Sequence, residues 1–544
     1  MVHHSLGLAK RRENDTIVAK IDDERQKSAA LMKPYILAHD LGTTGDKASL
    51  FDAEGTCLAS VTVSYPTDYP HTGWAEQNPN DWWRAVCDST RALLSQTNAR
   101  GDQIACVTFS GQMQGVVALD RDARPLRAAM IWADQRSTEQ ARWLSERLDP
   151  ERVYHLTGHR LSAAYSLTKI LWLRDHQPEV FRAAHKFTTV KEAIAARLTG
   201  AFVTEPSDAS GTNLYDLHTG SWSEAILDAA QLDPERLAAI GQSIDIAGEI
   251  TDEAAEAIGL PAGTPVVIGG GDGACAGVGA GSVRENVAYS YIGSSGWIAT
   301  STRTPLVDPR KRTVTFAHVV PGLFMPLGPM QAAGLTYQWL RDQLSPIEVQ
   351  SAAALDVSPY VLMNAVAETS PAGANGLIFL PYLIGERAPR WNPDARGAYL
   401  GLTVRHTRAD MLRAAMEGVA LNLRVILDAL RESAQIDSIR IIGGGVSGRL
   451  WAHIMADVFG VTVHRLVHRE GATSMGAAVI GGVGIGMYPD FSIAGRMNGI
   501  DETIDPNPAH RAVYDDAYGV FEAAYAALEP VYAHMARLQR REDV

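Results

Sequence analysis

Two acids in the sequence stand where a carboxylate can act on a small molecule. Asp40 lies near the end of the apolar run YILAHDL, directly before Gly42-Thr43-Thr44-Gly45, and Asp272 follows VVIGGG with glycine on both sides. An acid at the end of a buried strand, next to a tight turn, keeps its oxygens open to a ligand. Asp40 is suited to hold Mg²⁺, directly or through water, beside bound phosphates, and Asp272 to accept a proton. A turn cap for Asp40 and close glycine packing around Asp272 are the plainer alternatives. A second hydroxyl-bearing turn, Gly293-Ser294-Ser295-Gly296, matches the first, so backbone N–H groups and the hydroxyls of Thr43, Thr44, Ser294 and Ser295 can meet phosphate oxygens from opposite sides. Either turn alone is an ordinary hairpin; the pairing carries the weight. In a third turn, IIGGGVSGRLW, the bare backbone of Gly443, Gly444 and Gly445 leaves room for a flat ligand. Its contiguous glycines are not a GxGxxG fingerprint, and the chain has no GxxxxGK[ST] loop.

The elements around these turns read as mixed strand and helix. YILAHDL, ASLFD and TCLASVTVSY are strands separated by turns, and Asn80 to Leu94 has apolar residues at helical spacing behind Asn80 as N-cap. IACVTFSGQMQGVVALD reads as strand, turn and strand, SLTKILWLRDH and PERLAAI as helices, and TPVVIGGGDGACAGVGAG as a buried strand entering a glycine-rich turn and helix. NVAYSYIGSSGWIAT repeats the strand-turn-strand pattern, so DLGTTG is echoed by YIGSSG, a weak internal repeat that suggests two related lobes. Ala409 to Arg431 has a helical apolar stripe, SIRIIGGGVSGRLWAHIMADVFG reads as strand, glycine turn and helix, and a closing amphipathic helix follows His510. The class is α/β. The expected organisation is an extension over 1–33, a first domain over 34–282 and a second over 283–535.

Composition narrows the function. The chain of 544 residues is 46% hydrophobic and 20% charged, enough for several domains with large cores. A formal net charge of -13 argues against a duplex nucleic acid or an anionic membrane surface, both of which demand clustered Lys and Arg. Cys57, Cys87, Cys106 and Cys275 form no CxxC pair and no metal-ligand rhythm, which suits a reducing, cytoplasmic compartment. Residues 1–33 have no apolar core run or cleavage-site pattern, and Gly471 to Tyr488, rich in Gly and Ala, suits a tightly packed internal helix better than a membrane span.

These residues together resemble the FGGY family of carbohydrate kinases, and within it the xylulokinases, over nearly the whole chain from Tyr35. Asp40-Leu-Gly-Thr-Thr-Gly-Asp-Lys47 resembles the family's DxGTTxxK, Gly111-Gln-Met-Gln-Gly115 its GQMHG sugar loop, and Gly269-Gly-Gly-Asp-Gly273 its GGGDN. Ser166 to His176 and Gly397 to Glu417 are similar to the two family signatures, and WAEQNPNDWW, WADQR and FLPYLIGERAP are xylulokinase-like. The resemblance implies a two-lobed actin-like ATPase (ribonuclease H-like) fold with the active site in the interdomain cleft. It implies ATP and Mg²⁺ as cofactors and a sugar as substrate, with no nucleic acid or membrane partner and a homodimer as the candidate assembly. By the same resemblance Asp272 is the general base, Asp40 organises Mg·ATP, and Thr43, Thr44, Gly293, Ser294 and Ser295 lie near the phosphates. Gly444, Gly445 and Gly448 border adenosine, and Met113, Gln114, Trp132, Asp272 and Gly273 face the sugar. The implied reaction is phosphorylation of D-xylulose to D-xylulose 5-phosphate. Gln114 stands where the pattern has His and Gly273 where it has Asn, so another ketose, a polyol or an aldonate is the alternative acceptor. Two other classes are weighed, a non-catalytic sugar sensor and an actin-like ATPase acting on proteins. The presence of both acids and both hydroxyl turns argues against the first, and the sugar loop and signatures argue against the second.

Overall fold

A computed structural model of the chain describes residues 34–539; the expected extension over 1–33 lies outside the described residues. Two seven-stranded sheets organise the structure. The first contains β1 (Tyr35–Leu41), β2 (Gly45–Phe51), β3 (Cys57–Ser64), β4 (Ile104–Gly111), β5 (Ile246–Glu249) and β6 (Pro265–Val267) in the order β5-β6-β4-β1-β2-β3, with β7 (Gly270–Gly271) also pairing β4. Ile36, Leu37, Ala38 and Leu41 of β1 are all buried, as befits a central strand covered on both faces. β1 runs antiparallel to β2 and parallel to β4, which sets Asp40 opposite Lys47 on one side and Ser110 on the other.

The second sheet repeats this plan. It contains β8 (Ala288–Ile292), β9 (Gly296–Thr300), β10 (Val314–Ala317), β11 (Phe324–Met330), β12 (Ser438–Ile442), β13 (Thr462–Leu466) and β14 (Ile500–Ile504), ordered β10-β11-β9-β8-β12-β13-β14. β8 pairs antiparallel with β9 and parallel with β12, as β1 does with β2 and β4, so the echo between the two hairpins is a true structural repeat.

Among the helices are α1 (Pro79–Thr97), α2 (Ser166–His176), α3 (Val190–Thr199), α4 (Asp272–Gly279), α5 (Arg408–Arg431), α6 (Arg449–Phe459), α7 (Ala472–Gly484) and α8 (Arg511–Gln539). The sheets are joined through α4 and α7, which touch backbone to backbone. A Cβ on Gly279 would lie 1.8 Å from the Ala472 carbonyl oxygen and one on Gly476 1.9 Å from that of Cys275. Only glycine permits that approach. α7 then lies on the first sheet, where Cβ atoms on Gly481 and Gly482 would meet Thr108 and Ile36. The glycine-rich segment from Gly471 is thus the expected internal helix, and no helix among the described residues is long and apolar enough to cross a membrane.

Two local expectations are corrected. The N-cap of α1 is Asn78, whose side chain accepts from the Asn80 backbone N–H, because Pro79 takes the first helical turn, where its missing donor costs nothing. PERLAAI forms a single 3₁₀ turn over Pro234–Arg236, after which Ala239–Ile240 pairs in parallel with Val203–Thr204; strand pairing overrides helical spacing there. The four cysteines are free thiols.

Candidate active site

The site is built at the carboxyl ends of β1 and β4, where parallel strands of α/β sheets open toward ligands. Asp40 is part-buried beside Ser110 and Lys47. Burial pushes its carboxyl up to about 6, with the Ser110 hydroxyl and the Lys47 charge pulling the other way. Asp272, part-buried at the first residue of α4, is pushed up to about 7 by burial and then by the negative charge of Asp40; the Gly273 N–H and the Arg387 guanidinium oppose this. Its Oδ1 accepts the Gly273 N–H at 2.7 Å. The Asp40 charge thus reaches Asp272, and negative charge gathered in one cleft favours a cation there. Tyr291 of β8 is raised first by burial and then by both Asp40 and Asp272, which brings the second sheet to the same place.

The glycines before Asp272 serve packing and access together. Gly269 has φ +79°, and a Cβ there would lie 2.0 Å from the Phe109 carbonyl oxygen; a Cβ on Gly271 would lie 2.6 Å from the Met113 Sδ. The loop that leads to Asp272 is therefore clamped between β4 and the Gly111–Gly115 loop. Its backbone is held from behind as well: Gly271 N–H donates to Ser207 Oγ at 2.9 Å, and Ser207 Oγ donates to Glu205 at 2.7 Å. Glu205 and Asp208 lie 3.4 and 3.1 Å from the buried Lys191 ammonium, whose pKa their charges raise against the opposing effect of burial. This buried cluster was not legible in the sequence, since nothing in the spacing of Lys191, Glu205 and Asp208 ties them to Asp272.

In the sugar loop, Met113 is buried against Gly271, while Gln114 adopts the left-handed φ of 66°. A non-glycine residue in that conformation needs outside support. Lys169 of α2 supplies it, donating to the carbonyls of Gln114 and Ala164, and burial pulls its ammonium down to about 7. Gly273 is buried, and a Cβ there would make an ordinary contact with Met325 Cε at 3.7 Å. Trp132 donates from Nε1 to Thr43 Oγ1 at 3.0 Å and so belongs to the first hairpin as much as to the sugar side.

Both hairpins are braced at their tips. The Gln77 amide donates to Thr43 O at 2.6 Å, and the Tyr65 hydroxyl and Gln112 amide donate to Gly42 O at 2.5 and 3.2 Å. Thr44 remains exposed. In the second hairpin Gly293 N–H donates to Ser295 O at 2.9 Å, Ala333 and Leu335 N–H both donate to Ser294 O at 3.0 Å, and Ser294 is exposed. The third glycine turn leans on this hairpin: Cβ atoms on Gly443 and Gly445 would lie 2.4 Å from Ile292 O and 2.3 Å from Ile292 Cγ2, whereas Gly444 has nothing within 4 Å. Gly448 is closed off by Asn364, whose Nδ2 would lie 2.4 Å from a Cβ there. The structure thus gathers Asp40, Asp272, Met113, Gln114, Trp132 and the first hairpin on one side, with the second hairpin and the third glycine turn stacked on the other. Among the described residues no group of three or more His, Cys, Asp or Glu forms a metal cage. Asp40, part-buried beside the Ser110 hydroxyl and the Lys47 charge, is suited to a Mg²⁺ completed by phosphate oxygens and water.

The family models for the N-terminal and C-terminal domains of FGGY carbohydrate kinases match residues 35–279 and 288–485. The chain belongs to the FGGY family of carbohydrate kinases. Similar proteins include a gluconokinase from Bacillus licheniformis, 32% identical over 94% of this chain and 99% of the relative, and a xylulose kinase from Staphylococcus epidermidis, 31% identical over 93% and 99%. The solved ligand-bound xylulose kinase from Lactobacillus acidophilus superposes with a TM-score of 0.84 at 29% identity, covering 92% of this chain and 99% of that one. This FGGY kinase therefore has the actin-like two-domain fold and is an ATP-dependent sugar kinase.

Proposed function

We propose that the kinase transfers the γ-phosphoryl group of ATP to the terminal hydroxyl of an open-chain sugar, with D-xylulose giving D-xylulose 5-phosphate as the first candidate. The observation that carries this reading is the contact of the sugar loop with the base loop: Met113 packs on Gly271, one residue before Asp272, so a sugar beside Met113 and Gln114 presents its hydroxyl to the Asp272 carboxylate. The hydroxyl oxygen bonds to phosphorus as the bond to ADP breaks, and its proton passes to Asp272. Mg²⁺ held near Asp40 supplies charge neutralisation for the phosphates. The N–H groups and hydroxyls of Thr43, Thr44, Ser294 and Ser295 orient those phosphates, while the bare backbone of Gly444 faces the adenine.

A second reading is an aldonate such as D-gluconate, supported by the gluconokinase relatives and by Gly273, which puts no side-chain amide beside Asp272. ADP release measured with D-xylulose, other ketoses, polyols and D-gluconate at matched concentrations tests both. A kcat/KM for D-gluconate more than about 100-fold above that for D-xylulose, ~2.7 kcal/mol in transition-state binding, overturns the first candidate and leaves the second; the same margin for a polyol overturns both.

A further inference from the structure

Arg387 comes from the second half of the chain, in the segment FLPYLIGERAP, and its surroundings are unusual for a guanidinium. Its Nε is enclosed without a hydrogen-bond partner among the described residues, and no carboxylate there lies within ion-pair distance. The adjacent Glu386 supplies charge but no hydrogen bond to the guanidinium, because both of its oxygens are engaged elsewhere. Oε1 accepts the backbone N–H of Gln331 at 2.7 Å and of Arg387 itself at 2.8 Å, and Oε2 accepts the Asn422 amide at 2.9 Å. Nearby Arg390, by contrast, is paired with Glu522. A guanidinium carries five N–H donors in a planar fork; here the enclosed Nε is left unpaired, which is costly, and the part-buried terminal nitrogens are free to take a ligand.

Its position indicates what it waits for. The guanidinium carbon lies 5.8 Å from the centre of the Trp132 ring, and Trp132 is bonded to Thr43 of the first phosphate hairpin. The Arg387 charge acts on Asp272, whereas the charges acting on Asp40 are those of Lys47 and Asp46. Arg387 thus faces the base end of the cleft, where the acceptor and the transferred phosphoryl group meet.

We propose that Arg387 is the anion contact of the cleft, its guanidinium fork binding two oxygens of an anionic group held between Trp132 and Asp272. That group is the phosphoryl in transit onto the sugar or the carboxylate of an aldonate acceptor. Both offer paired oxygens that match the fork, and the inference rests on the acceptor reading above only for the choice between them.

The test compares the wild-type enzyme with Arg387→Met and Arg387→Lys by calorimetric titration with D-xylulose 5-phosphate, D-gluconate and neutral D-xylulose. Arg387→Met is expected to weaken an anionic ligand tenfold or more while leaving D-xylulose within about threefold, with Arg387→Lys intermediate because it keeps the charge and loses the fork. Loss confined to D-xylulose 5-phosphate, with a parallel fall in kcat, assigns the phosphoryl group; loss confined to D-gluconate assigns the carboxylate. Unchanged binding of both anions overturns the proposal, and so does equal weakening of all three ligands, which would mark a structural role. If Arg387→Met does not fold, Arg387→Lys with wild-type affinity for both anions overturns it equally. If the wild-type enzyme phosphorylates neither D-xylulose nor D-gluconate, the acceptor reading falls, and titration with inorganic phosphate still decides whether Arg387 binds anions.

Discussion

Asp272→Asn separates the proposed base from the scaffold that holds it. The substituted amide keeps an Oδ1 that accepts the Gly273 N–H, bonded at 2.7 Å in the native chain, so the start of α4 and the clamp of Gly271 on Met113 persist. What is lost is a proton acceptor, typically worth roughly 10² to 10⁴ in rate, or ~2.7 to 5.5 kcal/mol of barrier. The pH profile adds a second signature. Burial and the Asp40 charge push Asp272 up to about 7, and only the ionised form takes a proton. In the free enzyme kcat/KM therefore falls as pH drops through about 7, with roughly a tenth of the sites still ionised about one pH unit lower. Removing the Asp40 charge with Asp40→Asn removes one upward influence and moves this limb to lower pH. Coupled measurement of ADP release across pH, for wild type and both variants, reads all of this. An Asp272→Asn enzyme keeping more than about a third of wild-type kcat, or keeping the same acid limb, refutes the assignment.

Three further outcomes are expected. Asp40→Ala raises the Mg²⁺ concentration needed for half-maximal rate at saturating sugar and leaves sugar binding unchanged; an unaltered Mg²⁺ requirement contradicts its role. Gly476→Val forces a side chain against the Cys275 carbonyl, 1.9 Å from the first added atom, and costs about 1–3 kcal/mol of stability by overpacking, read as a lowered denaturation midpoint; an unchanged midpoint shows that α4 and α7 can separate freely. Gln114→His with Gly273→Asn raises kcat/KM for D-xylulose relative to other sugars; no change in ranking shows that these positions do not choose the acceptor.

The acids were legible because each combines a buried strand with glycine. Asp40 follows an apolar run and Asp272 three glycines, and parallel strand pairing then places both at the same end of the sheet. The two phosphate hairpins were legible as a repeat for the same reason. Arg387 was not. Its chemistry depends on Glu386 being bonded away from it, and no spacing in the sequence tells that Gln331 and Asn422 claim those oxygens. The left-handed Gln114 was equally hidden, since the support for its backbone comes from Lys169, far along the chain. Local signals failed where neighbours intervened: Asn78 and Asn80 flank one proline and both look like caps, and the short helical spacing before Ile240 yields to a strand partner.

The path of α7 bears on how such a protein can be divided or recombined. The helix is encoded in the second half, yet it covers Ile36, Thr108 and Val267 of the first sheet through Gly481, Gly482 and Gly484. A gene cut between the repeats would produce one fragment with an uncovered apolar face and another with an orphaned glycine-rich helix. Exchanging second halves between relatives can succeed only if the donor's helix carries small residues in the same register. The molecule is a duplication in plan, but through this one helix its halves have become obligate partners, inherited and folded as a single unit.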